Sequence, residues 1–235
     1  MKKIIIANWK CNPSTIQEAK KLYKGIKKAA IKTKKTEVLI AAPFIWLPLL
    51  KNVKKCAQNC FWEEKGPYTG EIGPKMLKDV GIDYVIIGHS ERRDKFNETD
   101  EMINKKIKAA LNAGLTVILC IGENKGENAQ EVIRRQLKED LKDIENCKLK
   151  IENLIIAYEP VWAISTNGGE ICSPEHAKDI LGFIKQKFVG KIIYGGSVNN
   201  EIINNYLNVG YEGVLVGGAS LIADEFVNLI NNVEN

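Results

Sequence analysis

Three side chains of this sequence stand at the ends of short apolar runs and could move a proton or stabilise an anion: Glu159, His89 and Lys10. Glu159 follows "LIIAY" and precedes Pro160. Proline disfavours helical geometry at the residue before it, so Glu159 is expected to sit extended at a strand tip. Side chains alternate along a strand, which puts Glu159 on the same side as Ile155 and Ala157. A carboxylate fixed at the mouth of an apolar layer is a poor structural choice and a good general base. His89 comes just past "YVII", shares parity with Val85 and Ile87, and precedes Ser90 and Glu91, where a helix is due. A helix N-terminus there would keep the imidazole neutral. The first run, "IIIAN", continues to Lys10, with Asn8 and Lys10 in step with Ile4 and Ile6. A lysine just past a strand is often only a surface group, but Asn8 at matching parity argues for a shared role.

Two further runs end in paired glycines, "YGGSV" (194–198) and "VGGAS" (216–220). Glycine pairs let backbone N–H groups approach an anion closely, with a helix N-terminus expected behind them. Taken together, the residues suggest a small phosphorylated substrate, a carboxylate base, and a neutral histidine and a lysine as electrophiles. That constellation suits proton abstraction next to a carbonyl.

The elements that must position these groups repeat along the chain. Short apolar runs occur at 4–8, 38–42, 58–62 ("QNCFW"), 84–88, 116–120, 154–158, 191–195 and 213–217. Most are rich in Ile and Val without polar alternation, as strands buried on both faces should be. Amphipathic helical segments lie between them. The segment 98–114 is one, with Thr99 or Asp100 as its N-cap and Gly114 as its stop. Eight such repeats in one chain predict an α/β fold, a (β/α)8 barrel of parallel strands surrounded by helices. A doubly wound open sheet would carry a glycine-rich phosphate turn after the first strand, and "NWKCNPST" has no glycine. No linker divides the chain, so residues 1–235 are expected to form one domain. In such a barrel the chemistry sits where strands end and the following loops begin.

Composition sets limits. Of the 235 residues, 45% are hydrophobic and 27% charged, the balance of an ordinary globular chain. No apolar run approaches the roughly 18 residues of a membrane span. The start "MKKIIIANWK" breaks at Asn8 and Lys10, too soon for a signal peptide, so the protein is read as cytoplasmic. Six cysteines show no CxxC spacing, and with only two histidines no metal site is expected. The net charge of +5 comes with lysines such as those of 18–35, which alternate with apolar residues as on the solvated face of a helix. Aromatic residues for stacking are not interleaved among them, which argues against nucleic-acid binding.

The segments "ANWKCN" (7–12), "YTGEIGPKMLKDVG" (68–81), "IIGHSERRDKFNETDE" (86–101), "ILCIGE" (118–123), "AYEPVWAI" (157–164), "YGGSV" and "VLVGGASL" (214–221) carry a resemblance over essentially the whole chain. The sequence is similar to the triosephosphate isomerase family. The resemblance implies a TIM barrel that interconverts dihydroxyacetone phosphate and glyceraldehyde 3-phosphate through an enediolate, in glycolysis and gluconeogenesis. It implies Glu159 as the proton carrier, neutral His89 polarising the carbonyl, Lys10 supplying positive potential and Asn8 helping to hold substrate oxygens. Gly196, Ser197, Gly217 and Gly218, with a backbone N–H near Ser165, would cradle the phosphate. Ser90, Glu91 and Cys120 match family positions around these groups. No metal or organic cofactor is implied. The stretch Pro160, Val161, Trp162, Ala163, Ile164, Ser165 and Thr166 reads as a lid, with Trp162 and the loop beyond it keeping water off the intermediate. The loop 62–74 would project into a neighbouring subunit, with Thr69 reaching that subunit's site. A homodimer follows, a tetramer being the alternative; no membrane partner is implied.

The sequence departs from the family pattern in three places. The lid continues as "AISTNGGEIC", longer than usual and with Ser165 in place of glycine. A positive φ at that position would strain serine, whereas an ordinary φ would leave its N–H to serve the phosphate. Cys11 replaces the usual methionine, and the chain is short for the family, so outer helices or turns are expected to be trimmed. The rival readings are another phosphate-binding barrel isomerase or synthase, and a non-catalytic barrel with an interaction role. Neither gives a reason for "GHSERR" and "YEPVWAI" to occur together with Lys10, His89 and Glu159.

Overall fold

The structure is a computed structural model that describes residues 2–144, 151–164 and 170–234. Eight parallel strands are β1 Lys3–Asn8, β2 Thr36–Ala41, β3 Lys54–Ala57, β4 Tyr84–Ile87, β5 Thr116–Ile121, β6 Leu154–Tyr158, β7 Lys191–Tyr194 and β8 Gly213–Val216. Each pairs with the next and β8 returns to β1, which closes a barrel. Around it lie α1 Ile16–Lys32, α2 Pro74–Asp79, α3 Ser90–Lys95, α4 Asp100–Asn112, α5 Ala129–Asp140, α6 Pro174–Lys185, α7 Ile203–Asn208 and α8 Ala223–Glu234. This is the expected (β/α)8 TIM barrel.

Alternation along the strands divides the apolar residues into two layers. Ile4, Ile6, Leu39, Ala41, Cys56, Ile86, Ile118, Cys120, Ile155, Ala157, Ile193 and Leu215 fill the barrel interior. Their neighbours, among them Ile5, Val38, Val85, Ile87, Val117 and Ile156, pack against the helices. In α1, Ala19, Leu22, Ile26 and Ala30 face the sheet and the lysines face solvent. Its start is fixed by a capping box between Thr15 and Glu18, in which each side chain bonds the other's backbone N–H. Thr99 is the cap of α4, accepting from Met102 N at 3.3 Å, and Gly114 follows its end with φ of +85°.

Two elements differ from the sequence reading. The third strand is Lys54–Ala57, not 58–62. Its first half is lysine: Lys54 pairs with Glu37, and Lys55 Nζ donates to the Val80 carbonyl at 3.0 Å. Lysine stems lie along apolar surface while their heads reach polar partners, which hides the strand from a hydrophobicity pattern. The β2–β3 connection contains only a short 3-10 turn, Leu47–Leu49, where a full helix was expected. Pro43 and Pro48 each lack the backbone donor that a continuous helix needs. The two helices that follow β4, α3 and α4, are the one expected at Ser90 and the one expected within 98–114.

The chain's end is tied back to the barrel. The Glu234 carboxylate accepts from the backbone N–H groups of Lys34 (2.8 Å), Lys35 (3.0 Å) and Thr36 (2.7 Å) and from the Thr36 hydroxyl (2.6 Å). Burial alone would raise its pKa, but these donors win and hold it at about 2. No helix among the described residues is long and apolar enough to cross a membrane.

Candidate active site

At the C-terminal ends of the strands lies a cavity of about 320 Å³. Asn8 and Lys10 reach it from β1, His89 from β4 and Glu159 from β6. Gly196 and Ser197 border it after β7, and Gly217 and Gly218 after β8. Sequence-distant candidates thus share one small space.

Glu159 is 1% exposed. Its backbone N–H continues the β5–β6 ladder, donating to the Ile121 carbonyl at 2.7 Å, so the extended tip expected ahead of Pro160 is present. Carboxylate Oε2 accepts from the Ser90 backbone N–H at 3.0 Å. Oε1 has no hydrogen-bond partner and lies 3.2 Å from His89 Nε2. The side chain passes so close to Gly195 that a Cβ there would stand 2.8 Å from Glu159 Cγ. Glycine at that position is a requirement of space.

His89 reaches the mouth by a different route from the one its parity suggests. Val85 and Ile87 face the helices, and Ile86 faces the barrel interior. Gly88 has φ of +72°, which breaks the alternation and turns the next residue inward. His89 is then the N-cap of α3, its Nδ1 accepting from the Glu91 N–H at 3.2 Å. A ring whose Nδ1 accepts carries its proton on Nε2, the atom facing Glu159, so the hydrogen-bond network assigns the neutral tautomer.

Lys10 has φ of +52°, a conformation that non-glycine residues adopt rarely and that other contacts must hold. Those contacts are visible. Asn8 Oδ1 accepts from Lys10 N at 3.1 Å, and Gln58 Nε2 is shared among Asn8 Oδ1 (3.2 Å), the Lys10 carbonyl (2.9 Å) and the Ala41 carbonyl (2.9 Å). Lys10 Nζ pairs with Glu91 Oε1 at 2.7 Å. Burial pushes the Glu91 carboxyl up, yet Lys10 and the nearby positive groups hold it below the ordinary range. The Lys10 stem crosses Gly217, where a Cβ would lie 3.3 Å from Lys10 Cε. Gln58 escaped the sequence reading because the third strand was placed over it. With the strand at 54–57, Gln58 follows the inward-facing Cys56 in parity and points to the mouth.

The remaining candidates sit around this core. Ser90 contributes its backbone N–H to Glu159, while its hydroxyl is buried without a partner. Cys120 lies inside the barrel, where burial and the Glu159 carboxylate push its thiol well above the ordinary range. Ser197 N donates to the Ala163 carbonyl at 3.1 Å, and its buried hydroxyl has no partner. Behind Gly217 the chain turns at once into a 3-10 helix, Gly218–Leu221, whose Ser220 hydroxyl bonds the Asn8 carbonyl at 3.2 Å. Behind Gly196, α7 begins only at Ile203, so this glycine pair has a loop rather than a helix end at its back.

Of the lid residues, Pro160 leads into a 3-10 turn formed by Val161, Trp162 and Ala163, and Ile164 lines the cavity. Trp162 points to another partner: its Nε1 donates to Glu123 Oε1 at 2.7 Å, and its ring meets His176 edge-on at 5.9 Å. The Tyr158 hydroxyl also donates to Glu123, at 3.1 Å. Glu123, 2% exposed, is a second buried acid, lying in "ILCIGE" with no local pattern to mark it. Ser165 and Thr166 lie outside the described residues. Thr69 is exposed on the β3–α2 loop, whose Phe61, Trp62 and Tyr68 rings pack together at 4.2 and 4.7 Å. Among the described residues no cluster of His, Cys, Asp and Glu could hold a metal ion.

A family model described as triosephosphate isomerase matches residues 3–233. Among curated proteins, the triosephosphate isomerase of Dictyoglomus thermophilum is 44% identical over 254 aligned positions, covering 98% of this chain and 99% of that protein. Those of Clostridium botulinum (strain Loch Maree / Type A3) and Picosynechococcus sp. are each 42% identical, over 97% and 99% of this chain and 98% and 100% of the relative. Alignments of 249 and 254 positions exceed the 235 residues here, so those relatives carry residues that this chain lacks. With the family model spanning the barrel and relatives of this identity covering it end to end, the chain belongs to the triosephosphate isomerase family.

Proposed function

We infer that this chain interconverts dihydroxyacetone phosphate and D-glyceraldehyde 3-phosphate, with Glu159 moving the proton between neighbouring carbons. The observation that carries the reading is the pairing of Glu159 Oε1, buried and without a hydrogen bond, with His89 Nε2 at 3.2 Å, inside a cavity that Lys10 also lines. Glu159 takes a proton from the carbon next to the carbonyl, and the electron pair moves onto the carbonyl oxygen. His89 donates a hydrogen bond to that oxygen from Nε2, and Lys10 opposes the growing negative charge. Protonated Glu159 then returns its proton to the adjacent carbon, while the hydroxyl proton on the first carbon passes by way of His89 Nε2 to the former carbonyl oxygen and leaves a carbonyl on the first carbon. Atoms and electrons balance without an external oxidant or reductant, so the reaction calls for no cofactor.

The phosphate is assigned to Gly196, Ser197, Gly217 and Gly218, with Ser165 closing from the lid. Support comes from the unpartnered Ser197 hydroxyl and from the approach that the two glycine pairs permit. Asn8 holds the Lys10 backbone and faces the same cavity. Closure of the lid would exclude water and so protect the enediolate from losing phosphate.

The same reading makes the protein a cytoplasmic homodimer that serves glycolysis and gluconeogenesis. For the dimer, the support is the 62–74 loop, exposed over residues 63–71, together with a groove of about 290 Å³ beside Lys10, lined in part by Cys11, Pro43, Phe44 and Phe96. Phe96 is 62% exposed, an apolar surface that a partner's loop would cover. A coupled assay of triose phosphate interconversion tests the function. Absence of turnover in well-folded dimer would overturn it.

A further inference from the structure

The strand end that carries His89 is held from behind by one guanidinium. Arg93, on α3, donates from Nε to the Gly88 carbonyl at 2.9 Å and from Nη2 to the Cys120 carbonyl at 3.2 Å. Gly88 immediately precedes His89, and Cys120 lies on β5, the strand whose Ile121 carbonyl receives the Glu159 N–H. A Cβ at Gly88 would stand 2.9 Å from Arg93 Nη2, so this approach also needs glycine.

Two carboxylates aim the guanidinium. Asp100, on α4, accepts from Nη1 at 2.7 Å and is shared with Arg135. Asp140, the last residue of α5, accepts from Nη2 at 2.6 Å. Asp140 is 0% exposed, and its Oδ1 has no hydrogen-bond partner. Asn104 bonds the Asp140 backbone carbonyl, at 2.9 Å, and not the carboxylate. A buried carboxylate with one oxygen unpaired is costly to keep, and Arg93 is the charge that compensates it.

We propose that Asp140 is a positioning residue for the isomerisation, its carboxylate acting through Arg93 to set the strand end from which His89 faces Glu159. The functional meaning of this link rests on the isomerase reading above. Burial pushes the Asp140 pKa up to about 7; Arg93 on α3 and Arg135 on α5 oppose the rise, and Asp100 on α4 adds to it. Ionised Asp140 draws Arg93 to one side. Protonated Asp140 leaves Arg93 to Asp100 alone, and a polar cavity of about 370 Å³, lined by Arg93, Ser90, Cys120 and Glu159 among others, gives the guanidinium room to shift. His89 geometry, and with it kcat, then improves as pH rises through the Asp140 titration, while substrate affinity changes little.

The chain has only two histidines, so imidazole nitrogen resonances are simple to assign, with His176→Gln identifying those of His89. In the wild-type protein the His89 ring signals should shift, still in the neutral pattern, with the same midpoint as the Asp140 carboxyl carbon. Asp140→Asn should abolish that shift and lower kcat at pH 8 roughly tenfold, with KM within about twofold. A variant that keeps the wild-type kcat profile and His89 signals, whatever its melting temperature, overturns the proposal. So does a wild-type Asp140 carboxyl that fails to titrate between about pH 6 and 8, a measurement that does not depend on the variant folding. The resonance measurements need no turnover. An inactive wild-type enzyme would therefore remove the isomerase reading and leave the Asp140–His89 link standing, whereas a failed titration would do the reverse.

Discussion

His89 Nε2 and Glu159 Oε1 face each other at 3.2 Å, while the other oxygen of Glu159 is held by the Ser90 N–H at the start of the helix that His89 caps. One short segment, Gly88–His89–Ser90, therefore both carries the proposed electrophile and restrains the proposed base. In the proposed reaction Glu159 would exchange its Ser90 contact for the substrate carbon.

Replacing the base by its amide tests that role most directly. Glu159→Gln keeps shape and a hydrogen-bond acceptor but cannot take a proton, and kcat should fall by roughly 10²–10⁴-fold. Steady-state kinetics in both directions would decide it, and near-wild-type turnover would remove Glu159 as the base.

Gly195→Ala inserts a methyl 2.8 Å from Glu159 Cγ and 3.3 Å from the Tyr158 carbonyl. The carboxylate must then move, and misplacement on the ångström scale costs up to about 10²-fold in rate. We expect kcat to drop with little change in circular dichroism. Unchanged kinetics would mean that the Glu159 side chain is free to relocate.

Thr69 stands exposed on the loop assigned to the dimer contact. Thr69→Glu places a charge where a partner's surface is expected and should weaken association, read as a higher dissociation constant in sedimentation velocity. An unaltered profile would count against this loop as the interface.

Glu234 links stability to pH. Its folded pKa of about 2 lies below the ordinary 4.5, so the native state binds fewer protons than the unfolded chain. The resulting stabilisation is fully present above the unfolded value and is lost as pH falls from 4.5 towards 2. Solvent screening keeps it modest. Glu234→Gln should lower the melting temperature at pH 7 and converge with wild type near the acid end. Parallel melting curves at every pH would exclude the link.

Short-range pattern made most of the molecule legible in the sequence. Ile- and Val-rich runs show strands buried on both faces, and seven of the eight were located from it; polar residues at their ends marked Asn8, Lys10 and Glu159. The paired glycines were visible because backbone approach has no substitute for a missing side chain. Other features depend on the chain folding back on itself. β3 was hidden because its first half is Lys54 and Lys55, and Gln58 was lost with it. His89 was found, but on a parity that the backbone of Gly88 breaks. Glu123 and Asp140 are acids on loops and helices whose burial no local pattern records, because the partners that bury them are Tyr158, Trp162 and Arg93, distant in sequence. Periodicity along the chain determined which elements form and which polar groups end them. Only closure of the barrel, which brings eight strand ends around one small cavity, decided how those groups face each other.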